Sequence, residues 1–288
     1  MLSTIANYPF YQIDSEELHE VGVGPIHAGI IEPGHFRFIC NGEQILHLEI
    51  QLGYQHRGLE TLMLEKKKLL QRATLAENIT GDTTVGHSVA FANAWESLCA
   101  FVPDRQLQME RAFAIENERI AIHTGDLSGI CTDIAYQLGN SVFGRLRTPV
   151  INYFQRWAGN RFAKGLIRPG KTNFPFTKEL ASQWIDMISA YQPDFEEMAD
   201  RTFDLPSVLS RIERTGIVTT ETAMQIGMVG MAGRASGLTR DIRASHPFGY
   251  YSEIGYKPVT EPVGDVFCRA RIRYEEILKS IEMMKTII

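Results

Sequence analysis

A chain of 288 residues is long enough to bury a sizeable core as one large domain or two ordinary ones, which excludes a peptide-sized or metal-stapled fold. Hydrophobic residues at 44%, charged residues at 22% and aromatics at 10% exclude disordered and fibrous classes. With 29 basic against 34 acidic residues, the net charge of −5 supplies no general basic field for nucleic acid or an anionic membrane. The four cysteines, Cys40, Cys99, Cys131 and Cys268, contain no CxxC, so no metal centre is held by local cysteine pairs. Scattered in this way, they suit buried apolar positions or free thiols in a reducing compartment.

The N-terminus has no basic segment followed by an apolar one, and no run approaches the roughly eighteen apolar residues of a membrane span, so neither secretion nor insertion is expected. The last segment, KSIEMMKTII, stops inside a helical pattern without a capping Gly or Pro, and the chain is read as a possible fragment of a longer one. Residues 20–53 are strand-like. HFRFIC and QILHLEIQL alternate apolar with polar positions around Asn41-Gly42, a strong hairpin signal, which predicts a two- or three-stranded antiparallel sheet. Helical periodicity follows at Gly58–Arg72, Thr83–Phe101, Leu107–Asn140, Pro149–Ala163, Thr177–Arg201, Leu205–Thr215, Thr219–Gly227 and Asp265–Ile288. Arg168-Pro169-Gly170 and Gly227–Pro247 are expected as loops. The expected fold is therefore mainly α, a helical bundle with a small N-terminal antiparallel β-sheet. It forms one domain over 1–288, with a β-rich cap over 1–53 and a bundle over 54–288.

Five clusters could carry chemistry. In GPIHAGIIEPGHFRF, Pro33-Gly34 turns the chain between Glu32 and His35, a geometry that can set a carboxylate beside an imidazole for proton relay. An ion pair of Glu32 with Arg37, with His27 and His35 capping the loop, explains the same residues. In GYQHRGLE, Glu60 complements the dipole of the helix that follows. In ENITGDTTVGHS, Thr80, Asp82 and Thr83 suit a loop and N-cap, with Thr83 and His87 on one helical face; this is a poor donor set for a soft metal. The helix ENERIAIHTGDLSGICTDIAYQLGN sets Arg119, His123, Asp126, Asp133 and Gln137 along one polar stripe, either a buried structural network or a proton path. Finally, GMVGMAGRASGLTRDIRASHP mixes glycines with Arg234, Arg240, Asp241, Arg243 and His246. Anion binding and a buried irregular segment held by Arg/Asp pairs both fit it, whereas a dinucleotide fingerprint does not.

Taken in order, GPIHAGIIEPGHFRF with GYQHRGLE, ERIAIHTGDLSGICTDIAYQLGNSVFGRLR, RFAKGLIRPG, GMVGMAGRASGLTRDIRASHPFGYY and GDVFCRARIRYEEI resemble the large subunit of energy-converting nickel-iron hydrogenases. They equally resemble the homologous quinone-site, 49 kDa-type subunit of respiratory complex I, over about residues 20–280. The resemblance implies a proton-transfer role for Glu32, beside His35. It also implies that the first nickel-ligand CGxC falls on Thr80-Gly81-Asp82-Thr83, with His87 in place of the downstream His. Both ligand cysteines are absent, and threonine hydroxyls cannot replace bridging thiolates, so no metal is expected here. The complex I quinone ligands fall on Ile31 and Gly81, neither of which matches, so a quinone remains possible but not in the familiar pose. The expectation is thus a hydrogenase-like, NADH dehydrogenase-like oxidoreductase subunit that is inactive alone and couples electron transfer to proton or ion movement. Glu32, His35, Arg119, His123 and Asp126 are its chemical candidates, and Thr80, Asp82, Thr83 and His87 its binding candidates. The expected partners are a small iron-sulfur subunit and membrane subunits on the cytoplasmic face of the membrane, with no cofactor resident in this chain. A non-catalytic assembly module is the alternative.

Overall fold

The hairpin forms where the alternation places it. In the computed structural model, which describes residues 10–11, 13–26 and 33–288, β2 (His35–Asn41) and β3 (Gln44–Gln51) are antiparallel, joined by Gly42-Glu43. β1 (His19–Val23) adds on the other side of β2, giving the order β1-β2-β3. Glu32 and His27 lie outside the described residues. The register sorts the side chains by face. Val21, Phe38 and Leu48 align across the strands, as do Val23, Phe36 and Ile50, while Gly22, Arg37 and Glu49 fall on the opposite face. On that polar face Arg37 pairs with Glu20, and the Tyr11 N–H donates to Glu49. This sheet belongs to one of two compact units, Met1–Leu62, and the helices beyond residue 65 to the other, Met63–Ile288.

Helices follow the expected periods, with boundaries corrected by local chemistry. The segment read as one helix over 58–72 is two, α1 (Leu59–Glu65) and α2 (Leu69–Ala76). The chain is extended at Lys68, and the Lys66 carbonyl accepts from the Arg72 guanidinium instead of continuing the ladder. After α3 (Thr84–Leu98), Asp104 caps α4 (Arg105–Asp133) by accepting the Leu107 N–H at 2.8 Å. The break expected before Pro149 falls instead at Ile134–Tyr136, where Ala135 is left-handed and the Tyr136 N–H bonds the Cys131 carbonyl at 2.7 Å. Pro149 sits inside α5 (Gln137–Ala158), so the helix tolerates the one N–H that proline lacks. A two-stranded ribbon, β4 (Ile167–Arg168) with β5 (Lys171–Thr172), precedes α6 (Lys178–Asp204) and α7 (Pro206–Ile212). After α8 (Thr220–Gln225), the expected loop over 227–247 contains two short helices, α9 (Gly230–Ala235) and α10 (Ile242–Ser245); α11 (Tyr251–Ile254) and the long α12 (Val266–Ile287) follow.

The core lies between α4, α5, α6 and α12. Phe113 is its hub, with ring centroids 4.6 Å from Phe176, 5.4 Å from Trp184 and 6.0 Å from Trp157. Aromatic burial of this kind dominates the apolar stabilisation of such a bundle. It holds α4 and α12 side by side, so that any charged residue facing between them must be paired within the protein.

Candidate functional site

Glu116, Arg119, His123 and Asp126 project from α4 at helical spacing toward Glu276 and Ser280 of α12, spaced by one turn, and toward Arg273 of the same helix. The 227–247 segment supplies Arg234, Asp241 and Arg243 to the same space. Glu116 is fully buried and accepts from Ser280 and Tyr251 at 2.5 Å each, from Arg119 at 3.1 Å and from Arg243 at 3.2 Å. Glu276, 1% exposed, meets Arg234 at 2.6 Å, His123 at 2.7 Å and Arg243 at 3.1 Å. Asp241 accepts from Arg243 at 2.7 Å and lies 3.5 Å from Arg234. Asp126 accepts from Arg273 at 2.9 Å, and His123 Nδ1 lies 4.0 Å from it. The carboxylates Glu116, Asp126, Asp241 and Glu276 are matched by the guanidiniums of Arg119, Arg234, Arg243 and Arg273.

Burial alone would push the Glu276 carboxyl up, but the His123 hydrogen bond and the Arg119 and Arg234 charges hold it far below the usual range. Burial likewise opposes ionisation of Glu116 and is overcome by Arg119, Arg243, Ser280 and Tyr251. For Asp126, His123 and Arg273 do the same. Carboxyls with depressed values contribute stability that is present above their unfolded values and lost as the pH falls through the folded ones. The full-length protein should therefore keep its bundle at pH values below the ordinary glutamate value of 4.5, which urea unfolding followed by circular dichroism at stepped pH will read. A loss of stability already complete around that value would show that the pairs do not form.

This lattice is one wall of a cavity of about 1050 Å³. Arg119, Arg234, Asp241, Arg243 and Tyr251 line one side, while Val89, Ile115, Met231 and Phe248 make it apolar elsewhere. Arg240 and His246 also line it. A second cavity of about 570 Å³ shares Val89, Asn93, Ile115, Phe248 and Tyr251 with it, so the two are lobes on either side of these residues. Apolar walls with a few convergent polar groups are what small-molecule sites offer.

The polar stripe thus resolves in part. Arg119, His123 and Asp126 enter the lattice, whereas α4 ends at Asp133, and Asp133 and Gln137 are exposed on either side of the break. The loop candidates gather elsewhere, at the root of α3. The Thr80 and Thr83 hydroxyls bond each other. Asp82 lies 3.6 Å from Arg147 of α5, and burial lowers the pKa of His87, one turn into α3. Thr83 stands at the N-cap without capping through its side chain. Instead Glu118, from α4, accepts the Val85 N–H at 2.7 Å and the Gly86 N–H at 2.9 Å. No local cap motif announces this residue; the signal available is a glutamate whose neighbours one helical turn away, Ala114, Ile115, Ala121 and Ile122, are apolar. In the sheet unit, His35 opens β2 and packs edge-on against Phe10 at 5.3 Å. Glu32, its expected acid partner, lies outside the described residues.

A helical bundle with a small antiparallel sheet is a fold also seen in a solved respiratory membrane assembly. The archaeal complex described as membrane-bound sulfane sulfur reductase contains a chain that superposes with a TM-score of 0.88, covering 96% of this chain and 74% of that one. At 19% identity the likeness is one of fold. The chain belongs to the family of the respiratory-chain NADH dehydrogenase 49 Kd subunit, whose family model matches residues 133–288. Relatives include hydrogenase-4 component G of Escherichia coli, 27% identical over 96% of this chain and 47% of that protein. They also include the membrane-bound hydrogenase subunit alpha of Pyrococcus furiosus, 27% identical over 92% and 64%, and the NADH-quinone oxidoreductase subunit 4 of Thermus thermophilus, 25% identical over 93% and 66%. The chain spans about half the length of hydrogenase-4 component G. Among the described residues, no helix is long and apolar enough to cross a membrane.

Proposed function

We propose that this chain is the helical subunit of a membrane-associated oxidoreductase assembly, in which electron transfer is coupled to movement of a proton or another ion. The observation that carries this reading is the charge-matched lattice forming one wall of a cavity large enough for a small organic molecule. A single proton on His123, or an electron arriving on an acceptor beside Arg119 and Arg234, upsets the balance of a low-dielectric region. Each event therefore favours the other electrostatically. A quinone suits the cavity: Arg119 and Arg234 could orient a carbonyl oxygen, and Ile115, Met231 and Phe248 could cover the ring. Such a group would accept electrons when bound. The chain's own residues bind, orient and exclude water, and His123 Nε2 is hydrogen-bonded to Glu276 behind the cavity wall.

At 80–87 the donor set does not fit a nickel-iron centre. Thr80 and Thr83 are neutral hydroxyls already bonded to each other, and neither can act as a bridging thiolate. Electrons would reach the chain from a small iron-sulfur subunit, with membrane subunits beneath it on the cytoplasmic face. Glu32 and His35 would exchange protons at the 24–38 turn. The isolated chain would then be inactive.

The test is purification of the intact complex with nickel quantified by elemental analysis, alongside hydrogen uptake and quinone reduction. Nickel at background with quinone reduction supports the reading; stoichiometric nickel or hydrogen turnover overturns its no-metal part. Arg119→Met should lower quinone-linked kcat/KM roughly 10- to 100-fold, the worth of one charged hydrogen bond, and unchanged kinetics would remove the cavity from the mechanism. Glu32→Gln should lower coupled activity while assembly is retained.

The apolar face of the sheet favours a second reading, an assembly module. Val21, Val23, Leu48 and Ile50 on that face are all more than 40% exposed, as surfaces that receive another protein often are. Loss of partner subunits on Leu48→Asp, with Arg119→Met silent, would favour it.

A further inference from the structure

Glu118 is a buried carboxylate outside the lattice, and its surroundings differ from those of Glu116 and Glu276. It is 7% exposed, and among the described residues no Lys, Arg or His approaches it within ion-pair distance. Its two oxygens are used instead by two backbone N–H groups, Val85 on one and Gly86 on the other. The charged groups around it are Asp82 from the loop before α3, Arg119 on α4, Arg147 on α5 and Arg161 beyond α5. Arg147 is turned to Asp82 and its Nε to the Ala121 carbonyl. Between Asp82, Glu118, Arg147 and Arg161 lies a chamber of about 10 Å³, room for about one water.

We propose that Glu118 is a proton-operated latch on the root of α3: ionised, it holds the first turn of the helix and the 80–84 loop, and on taking a proton it lets them go. The reading rests on the proton-coupled function proposed above and adds the group that would link proton uptake to the position of this loop. The chemistry is a single proton transfer. A proton arrives from solvent by way of Asp82 and the chamber, and an O–H bond forms on one Glu118 oxygen. That oxygen becomes a hydroxyl, a weaker acceptor than a carboxylate oxygen. If the proton lands on the oxygen facing Gly86, the Gly86 N–H bond weakens while Val85 keeps its own. Asp82 lines the same chamber and is its other carboxylate.

Geometry and energetics agree. Burial pushes the Glu118 carboxyl up to about 7, against the two N–H bonds that pull it down, and the Asp82 charge adds to the rise. The switch therefore operates near neutrality, where a carboxylate paired like Glu276 could not.

Hydrogen exchange of the intact complex, read on the peptide containing Val85 and Gly86 and corrected for intrinsic exchange, tests the latch. As the pH is lowered through about 7, protection of the Gly86 amide should fall roughly five- to tenfold, the worth of one backbone bond. In Glu118→Gln that pH dependence should vanish. In Asp82→Asn, which keeps Glu118 and serves if the glutamine variant does not assemble, the midpoint should move to lower pH because a neighbouring negative charge has gone. Protection in the wild type that does not change with pH overturns the proposal, as does a midpoint unmoved in Asp82→Asn. Exchange reads the latch independently of redox activity. A complex with the protection switch but no coupled activity would sink the functional reading and leave the latch standing, and the reverse result would sink the latch alone.

Discussion

Glu276→Ala should remove about 3–5 kcal/mol from the unfolding free energy, because it breaks a buried charge set by deleting one partner. Arg234 at 2.6 Å, His123 at 2.7 Å and Arg243 at 3.1 Å all lose one shared acceptor together, with Arg119 a further 3.7 Å neighbour. Three guanidiniums would then face Glu116 and Asp241 in a largely buried space, only Arg119 being partly exposed, at 21%. The loss should come from uncompensated charge rather than from the missing side-chain volume. Glu276→Gln, which keeps the shape, should therefore recover little. Glu276→Met combined with Arg234→Met removes one charge of each sign and should recover at least half. Denaturant unfolding of the full-length protein measures all three. A loss below about 1 kcal/mol for Glu276→Ala would mean that the lattice is solvated, and the electrostatic coupling proposed for the cavity would fall with it.

Gly264→Ala should be nearly as damaging for a different reason. Gly264 has φ +80°, and a Cβ there would stand 2.0 Å from the Val218 carbonyl oxygen and 2.9 Å from the Ser236 hydroxyl. The first obstacle is backbone and cannot rotate aside. The Val218 N–H also donates to the Gly264 carbonyl at 3.0 Å, so any shift breaks that bond as well. The next residue, Asp265, caps α12 through the Cys268 N–H at 2.8 Å and ties the Arg214 N–H at 2.8 Å. Destabilisation of about 3 kcal/mol or more is expected, combining left-handed strain with overpacking. Gly255→Ala is the control. Its φ is +65° with nothing within 4 Å of the added Cβ, so only the conformational penalty of about 1 kcal/mol remains. Equal losses for the two variants would refute the clash. Because α12 carries Glu276 and Ser280, Gly264→Ala should also disturb the lattice, visible as acid unfolding at higher pH than in the wild type.

Much of the architecture was legible in the chain. The hairpin around Gly42, the eight helical periods and the mainly helical class follow from alternation, from 3.6-residue spacing and from caps such as Asp265, all of which are local. Errors fell where local signals mislead. Proline suggested a helix start at 149, yet a helix already under way absorbs one missing N–H. The glycine-rich 227–247 stretch read as loop because its apolar spacing is weak. It folds as short helices because Arg234, Asp241 and Arg243 are satisfied by partners as far along the chain as Glu116 and Glu276.

The candidate site divides the same way. Helical spacing on α4 brought out Arg119, His123 and Asp126 as one polar stripe, and the ordered motifs brought out the respiratory family and the missing thiolates at Thr80 and Thr83. Neither spacing nor motif gave the partners. A polar stripe states only that something must neutralise it. Which carboxylate meets which guanidinium depends on how α4, α9, α10 and α12 pack around a shared core. Glu118 is the clearest case: its sequence neighbours give it no task, while the fold places it 2.7 Å from an amide 33 residues away. Sequence by itself determined the elements and the family, since these depend on neighbours along the chain. Only the tertiary structure decided which buried charges pair and which carboxylate, Glu118, is held by backbone N–H groups alone, because desolvation and pairing are set by distance in space.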